Sequence, residues 1–147
     1  MSQNTLRYLT PNDWTLIGAR AEHVTFSLGQ DIIAQGAPLD SLYVIRQGSA
    51  SVELSGAQSK VVLAVLEKGD ICGEMAFVQT GIASASVVAD IDVEADKIRV
   101  RDLQQLTDTY PGFAARLYRS LAAILAQRLV HTSAELTRLR RVMTGPI

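Results

Sequence analysis

Side chains able to do acid–base, nucleophilic or metal chemistry are few in this sequence, and their spacing restricts what they could do. His23 and His131 stand far apart with no His-x-His pairing, which argues against the clustered imidazoles of a metal-dependent jelly-roll enzyme. Asp90, Asp92, Glu94 and Asp96 alternate. On one strand that spacing sets four carboxylates on one face, an arrangement that suits a solvated outer surface before it suits a calcium site. The single cysteine, Cys72, excludes an intrachain disulfide and a multi-thiolate metal site, and reads as a small buried apolar residue. No nucleophile elbow, Walker loop or Rossmann fingerprint is present. No catalytic chemistry can be assigned from these residues, and the expectation is a chain that is not an enzyme, with no metal and no cofactor.

The elements that must position any site are legible in the punctuation. Pro11 follows Thr10, and Trp14, Ile17 and Ala21 recur at helical spacing, so Thr10 or Asn12 caps a short first helix. From Glu22 to Val100 short apolar runs take over: HVTFSL, DIIAQ, SLYVIR, ASVEL, KVVLAVL, ASVVA and KIRV, rich in β-branched residues. Glycine-containing turns such as Gln47-Gly48-Ser49 and Lys68-Gly69-Asp70 separate them. Many short strands so spaced predict an antiparallel sandwich, barrel or jelly roll. After Asp102 the period becomes helical, and from Phe113 to about Met143 neither glycine nor proline interrupts.

Within that last stretch Tyr118, Ala122, Leu125, Leu129, Thr132, Leu136, Leu139 and Met143 form a heptad seam. A seam of this kind asks for a partner helix, and a homodimer is expected. Leu117, Leu121 and Ile124 make a second apolar stripe, suited to packing on the strands. Arg138, Arg140 and Arg141 cluster on the last turns, where they solvate the helix end and complement its dipole.

Composition sets the outer bounds. The chain has 147 residues, 48% of them apolar, enough for one core and too short for two ordinary domains. The net charge of −1 gives no global attraction to nucleic acid or to an anionic membrane. Residues 1–96 nevertheless hold 5 basic and 12 acidic side chains, whereas residues 97–147 hold 9 basic and 3 acidic. No apolar run approaches the roughly 18 residues that span a bilayer, and the N-terminus lacks signal-peptide order, so a cytoplasmic location is expected.

One stretch carries more information than any other: Gly69-Asp70-Ile71-Cys72-Gly73-Glu74-Met75-Ala76-Phe77, followed by Ala83-Ser84-Ala85-Ser86-Val87-Val88-Ala89. It resembles the phosphate cassette of the cyclic-nucleotide-binding family, approximately G-E-L-A, a loop and short helix, then P-R-A-A-S/T-V. Upstream, Phe26, Gly29, Ile33, Gly36, Leu42-Tyr43-Val44-Ile45 and Gly48 match the family's strand and turn pattern. Downstream, Ala126 to Ser133 looks like the long helix of the catabolite activator proteins. The resemblance covers nearly the whole chain. It implies a single domain over 1–147: a helical segment at 1–21, a double-stranded β-helix (jelly-roll or β-roll) at 22–101 with a cassette helix at about 73–80, and C-terminal dimerisation helices at 102–144.

By the same resemblance, Gly73, Glu74, Met75 and Ala76 and then Ala83, Ser84, Ala85 and Ser86 are the ligand-binding residues. Glu74 aligns with the glutamate that accepts hydrogen bonds from ribose, and the serine–alanine segment would offer backbone N–H groups and hydroxyls to a cyclic phosphate. Thr132 and Ser133 inherit a role at the base across the dimer. One departure matters: Ile82 and Ala83 fill the cassette proline and arginine positions, so the cation that faces the phosphate is missing. A charge-assisted hydrogen bond contributes roughly 1.5–3 kcal/mol, so a cyclic nucleotide should be weakened at least tenfold unless another basic group takes over. The sequence alone does not place Arg128.

Three uses of the hollow stay open at this level. It binds a cyclic nucleotide weakly or through a compensating cation, it binds another small ligand, or it binds nothing and the chain is a dimerisation or interaction module with Ile82 and Met75 filling the cup. The family's transcription factors continue from this helix into a DNA-binding domain, whereas Met143 to Ile147 stops near the usual hinge. The expectation is a stand-alone sensor, or a regulatory piece of a larger regulator, channel or transporter, with no DNA-binding domain in this chain.

Overall fold

A reciprocal cap starts the first helix of the computed structural model, which describes residues 4–79 and 81–144. The Thr10 hydroxyl accepts from the Asp13 N–H at 3.2 Å while the Asp13 carboxylate accepts from the Thr10 N–H at 2.9 Å, so α1 (Pro11–Gly18) is capped by Thr10 and not by Asn12. Eight strands follow among the described residues: β1 (Glu22–Phe26), β2 (Asp31–Ile33), β3 (Ser41–Gln47), β4 (Ala50–Ser55), β5 (Lys60–Leu66), β6 (Ile71–Cys72), β7 (Ser86–Ala89) and β8 (Val93–Arg99). A four-residue helix α2 (Met75–Val78) lies between β6 and β7, shorter than the expected 73–80, and Thr80 lies outside the described residues. The C-terminal part is α3 (Val100–Thr109) and α4 (Pro111–Thr144), so helix resumes two residues before the expected Asp102. Gly145, Pro146 and Ile147, where a hinge was expected, also lie outside the described residues.

All pairings are antiparallel, in two sheets of order β1-β8-β3-β6 and β2-β7-β4-β5. This is the predicted β-roll. The period-2 alternation of β3 explains why SLYVIR reads as a nearly continuous apolar run: it is covered on both faces. Ile45 belongs to the core inside the roll with Ile33, Ala50, Leu66, Val87 and Ala95. Leu42 and Val44 face the helices and share a second core with Ile17, Ile98, Leu103, Leu106 and Phe113.

The α4 stripe predicted to pack on the roll does so. Leu117, Leu121 and Ile124 are each at most 2% exposed, and burying each such side chain contributes about 1.5–3 kcal/mol. The seam is turned outward: Leu129, Leu136, Leu139 and Met143 are all more than half exposed, and Ala122 and Thr132 are exposed. Leu125 is half-buried, and Tyr118, half exposed, stacks on Phe77 of α2. No helix among the described residues is long and apolar enough to cross a membrane.

The alternating acidic run is not one strand face. Asp90 and Asp92 sit in the β7–β8 turn, where Asp90 accepts from the Ser51 hydroxyl and Asp92 accepts from the Leu28 N–H at 3.0 Å. Only Glu94 and Asp96 lie on β8, and His23 from β1 stands 3.6 Å and 3.5 Å from them. Among the described residues no group of three or more histidine, cysteine or acidic side chains is placed to hold a metal ion.

Candidate functional site

The β5–β6 turn closes on a reciprocal pair: the Asp70 carboxylate accepts from the Glu67 N–H at 2.8 Å, and the Asp70 N–H donates to the Glu67 carbonyl at 2.9 Å. Strand β6 then pairs Cys72 with Tyr43 of β3, and the chain must leave the sheet at once. Gly73 makes the exit possible. Its φ is +81°, and a Cβ there would lie 2.5 Å from the Ser41 carbonyl oxygen. The turn delivers Glu74 and α2 to the flank of α4.

Glu74 is 2% exposed, and its carboxylate accepts a hydrogen bond from the Arg128 guanidinium. The same guanidinium reaches the Asn4 side-chain oxygen at 3.3 and 3.1 Å. Ten residues earlier on α4, Tyr118 stacks on Phe77 with ring centroids 5.6 Å apart and planes at 29°. The long helix therefore grips the cassette at two points. Cys72, beneath, is buried; its thiol is pushed up by desolvation and by the Glu74 carboxylate, while Arg128 opposes that shift.

The segment leading into β7 is built differently. Ala83 is 4% exposed and packs in the core inside the roll. Its N–H donates to the Ala37 carbonyl and its carbonyl accepts from Gly36, both at 2.8 Å. A methyl group therefore occupies the cassette arginine position. Ser84 is exposed and Ala85 half-buried, while the Ser86 hydroxyl opening β7 accepts from the Gln35 N–H at 2.9 Å.

Of the residues singled out from the sequence, Gly73, Glu74 and Ala76 lie on the exit from β6 and on α2, and Ala83 to Ser86 lead into β7. Met75 and Ile82, the candidate fillers, are 37% and 67% exposed, and Ile82 bridges Pro38. Thr132 and Ser133 are exposed on α4 one turn beyond Arg128, apart from the cassette within one chain. Two hollows elsewhere, of about 480 Å³ beside Phe26 and Gly48 and about 120 Å³ beside Ile33 and Tyr43, contain neither Glu74 nor Ala83. Arg128 is the site residue that the sequence did not assign. A signal existed, since Leu117, Leu121, Ile124 and Arg128 follow at steps of four, three and four, placing an arginine in line with a buried stripe.

Comparisons with known proteins agree with this architecture. A family model described as "Cyclic nucleotide-binding domain" matches residues 23–110. Glutaminase 1 of Bradyrhizobium diazoefficiens is 32% identical over 90% of this chain, and cyclic GMP-binding protein C of Dictyostelium discoideum is 29% identical over 87%. The chain spans only 21% and 5% of those two proteins. Among solved structures, the catabolite activator protein of Thermus thermophilus superposes with a TM-score of 0.78 at 28% identity, covering 90% of this chain and 61% of that one. A cyclic nucleotide-binding domain from Methylobacillus flagellatus superposes with a TM-score of 0.80 at 19% identity, covering 88% and 74%. By roll, cassette and sequence match, the chain belongs to the cyclic nucleotide-binding domain family.

Proposed function

We propose that the chain is a ligand-responsive regulatory domain, regulatory rather than catalytic, in which occupancy of the cup is passed to α4. The observation that carries this reading is the Arg128–Glu74 pair: the residue aligned with the ribose-binding glutamate is held by the helix that would pair with a partner. A ligand hydroxyl that bonds to Glu74 must share it with Arg128, so binding alters the hold of α4 on the cassette. A ligand moves that equilibrium only by its differential affinity for the two arrangements. The outward seam on α4 supports a homodimer, and a second copy would bring its own Thr132 and Ser133 toward the cup. The small share of the relatives that the chain spans supports a role as the sensing part of a larger assembly, and the lack of a bilayer-length apolar helix among the described residues fits a cytoplasmic place.

The test is a thermal-shift and calorimetric screen of the chain against cyclic AMP, cyclic GMP, other nucleotides and small metabolites. Ligand that binds only the folded state raises the melting temperature. Ala83→Arg is expected to strengthen cyclic AMP binding. No binding by either form favours the rival reading, an interaction module that uses the seam alone, which the outward-turned Met75 and Ile82 do not support as plugs.

A further inference from the structure

Asn4 precedes the first helix, yet it stands where a sheet edge and the long helix meet. Strand β6 is the last of its sheet, and the Ile71 N–H donates outward to the Asn4 carbonyl at 2.8 Å, which seats the segment before α1 on that edge. The Asn4 side chain serves α4 instead: its Oδ1 accepts from the Arg128 Nε at 3.3 Å and from Nη2 at 3.1 Å. Between Asn4 and the Thr10 cap, Leu6 is 2% exposed in the core it shares with Ile71 and Ile124. The Tyr8 N–H donates to the Ser120 hydroxyl at 3.0 Å, and the Arg119 guanidinium lies 4.0 Å from the centre of the Tyr8 ring. Residues 4–10 therefore form a strap from the edge of β6 to α4. It holds the helix at two levels, Ser120 and Arg128, about 12 Å apart at the helical rise.

The Arg128 donors are divided between two partners. The guanidinium edge formed by Nε and Nη2 goes to Asn4, and Nη1 goes to Glu74. The Arg128 side chain is 42% exposed, so without a second partner it has wide rotamer freedom, and fixing it on Glu74 costs entropy. Asn4 fixes the guanidinium in advance. Being neutral, it orients the cation without neutralising it, and the charge stays available to the buried carboxylate.

We propose that the N-terminal strap is a latch on the contact between cassette and α4: Asn4 positions Arg128 on Glu74, and lifting the strap from the edge of β6 loosens the helix from the cassette. This gives α4 a second input. It needs no ligand, so its failure leaves the ligand-sensing reading standing.

The test compares the full chain with Asn4→Ala, a substitution that keeps the main-chain bond to Ile71. Urea unfolding of the Glu74→Gln and Arg128→Gln cycle, run once with Asn4 and once with Asn4→Ala, reads how strongly the pair is coupled. The coupling is expected to fall to about half or less in Asn4→Ala. Native-state hydrogen exchange reads the release directly. In Asn4→Ala the amides of Ala76 to Gln79, and those of α4 around Arg128, are expected to exchange roughly tenfold faster, with the β4–β5 hairpin unchanged. Faster exchange with an undiminished coupling makes Asn4 an ordinary tether and overturns the proposal. Unchanged exchange in both segments overturns it as well.

Discussion

Arg128 of α4 and Glu74 of the cassette are ion-paired across 54 positions of sequence, with the carboxylate side chain 3% exposed and the guanidinium side chain 42% exposed. Removing the cation leaves the buried anion without its partner, whereas removing both charges leaves nothing stranded. Arg128→Gln is expected to destabilise the fold by about 1–3 kcal/mol, and the Glu74→Gln/Arg128→Gln double variant by less than the sum of the singles. Urea unfolding of the four proteins measures the coupling; strict additivity would show that the pair is not energetically joined.

A second ion pair ties α1 to α4. Arg116 donates two hydrogen bonds to Asp13, at 2.6 and 2.9 Å, and with the Thr10 cap this holds the Asp13 carboxyl at about 2, below its ordinary 3.8. The folded value lies below the unfolded one, so the stabilisation is complete above 3.8 and is lost as the pH falls toward and through 2. Its size is on the order of 1 kcal/mol, because the arginine is partly solvated. Chemical denaturation at pH 7, 4 and 2.5 should show this loss in the parent chain and a smaller one in Asp13→Asn.

Gly73 is required by geometry before any ligand arrives. Ala in its place must adopt a φ near +81° and bring its Cβ against the Ser41 carbonyl. Gly73→Ala is expected to cost about 2–3 kcal/mol of stability in the absence of ligand, seen as a lowered melting temperature. An unchanged melting temperature would mean that the exit from β6 is looser than described.

The α4 seam gives a prediction about assembly. Leu136 is 61% exposed and makes no part of either core, so Leu136→Glu should leave the folded subunit intact. Light scattering is expected to report a dimer for the parent and a monomer for the variant at the same micromolar concentration, with similar circular dichroism. A parent that is monomeric at high concentration would remove the homodimer from the proposal.

The strands and the long helix were legible because each repeats a period over several residues. Strand β6 was not, since Ile71 and Cys72 are two residues and a pair shows no alternation. The acidic run from Asp90 to Asp96 kept a strand-like spacing through a turn, and only the pairing of β8 with β1 and β3 reveals that the first two belong to the loop. At the site, the missing cassette cation was visible at Ala83, but which residue holds Glu74 depends on how α4 lies across the roll. That is set by Phe113, Leu117, Leu121 and Ile124 together; the spacing puts Arg128 in line with this buried stripe but does not say which residue it meets.

From Arg128 to Thr144, α4 runs on for about 24 Å at the helical rise, and its surface there is exposed almost throughout. A rod pinned near one end works as a lever arm. A swing of about 10° at the Arg128 pin carries the tip through about 4 Å, so a rearrangement no larger than the exchange of one hydrogen-bond partner becomes, at the far end, a displacement comparable to the width of a side chain.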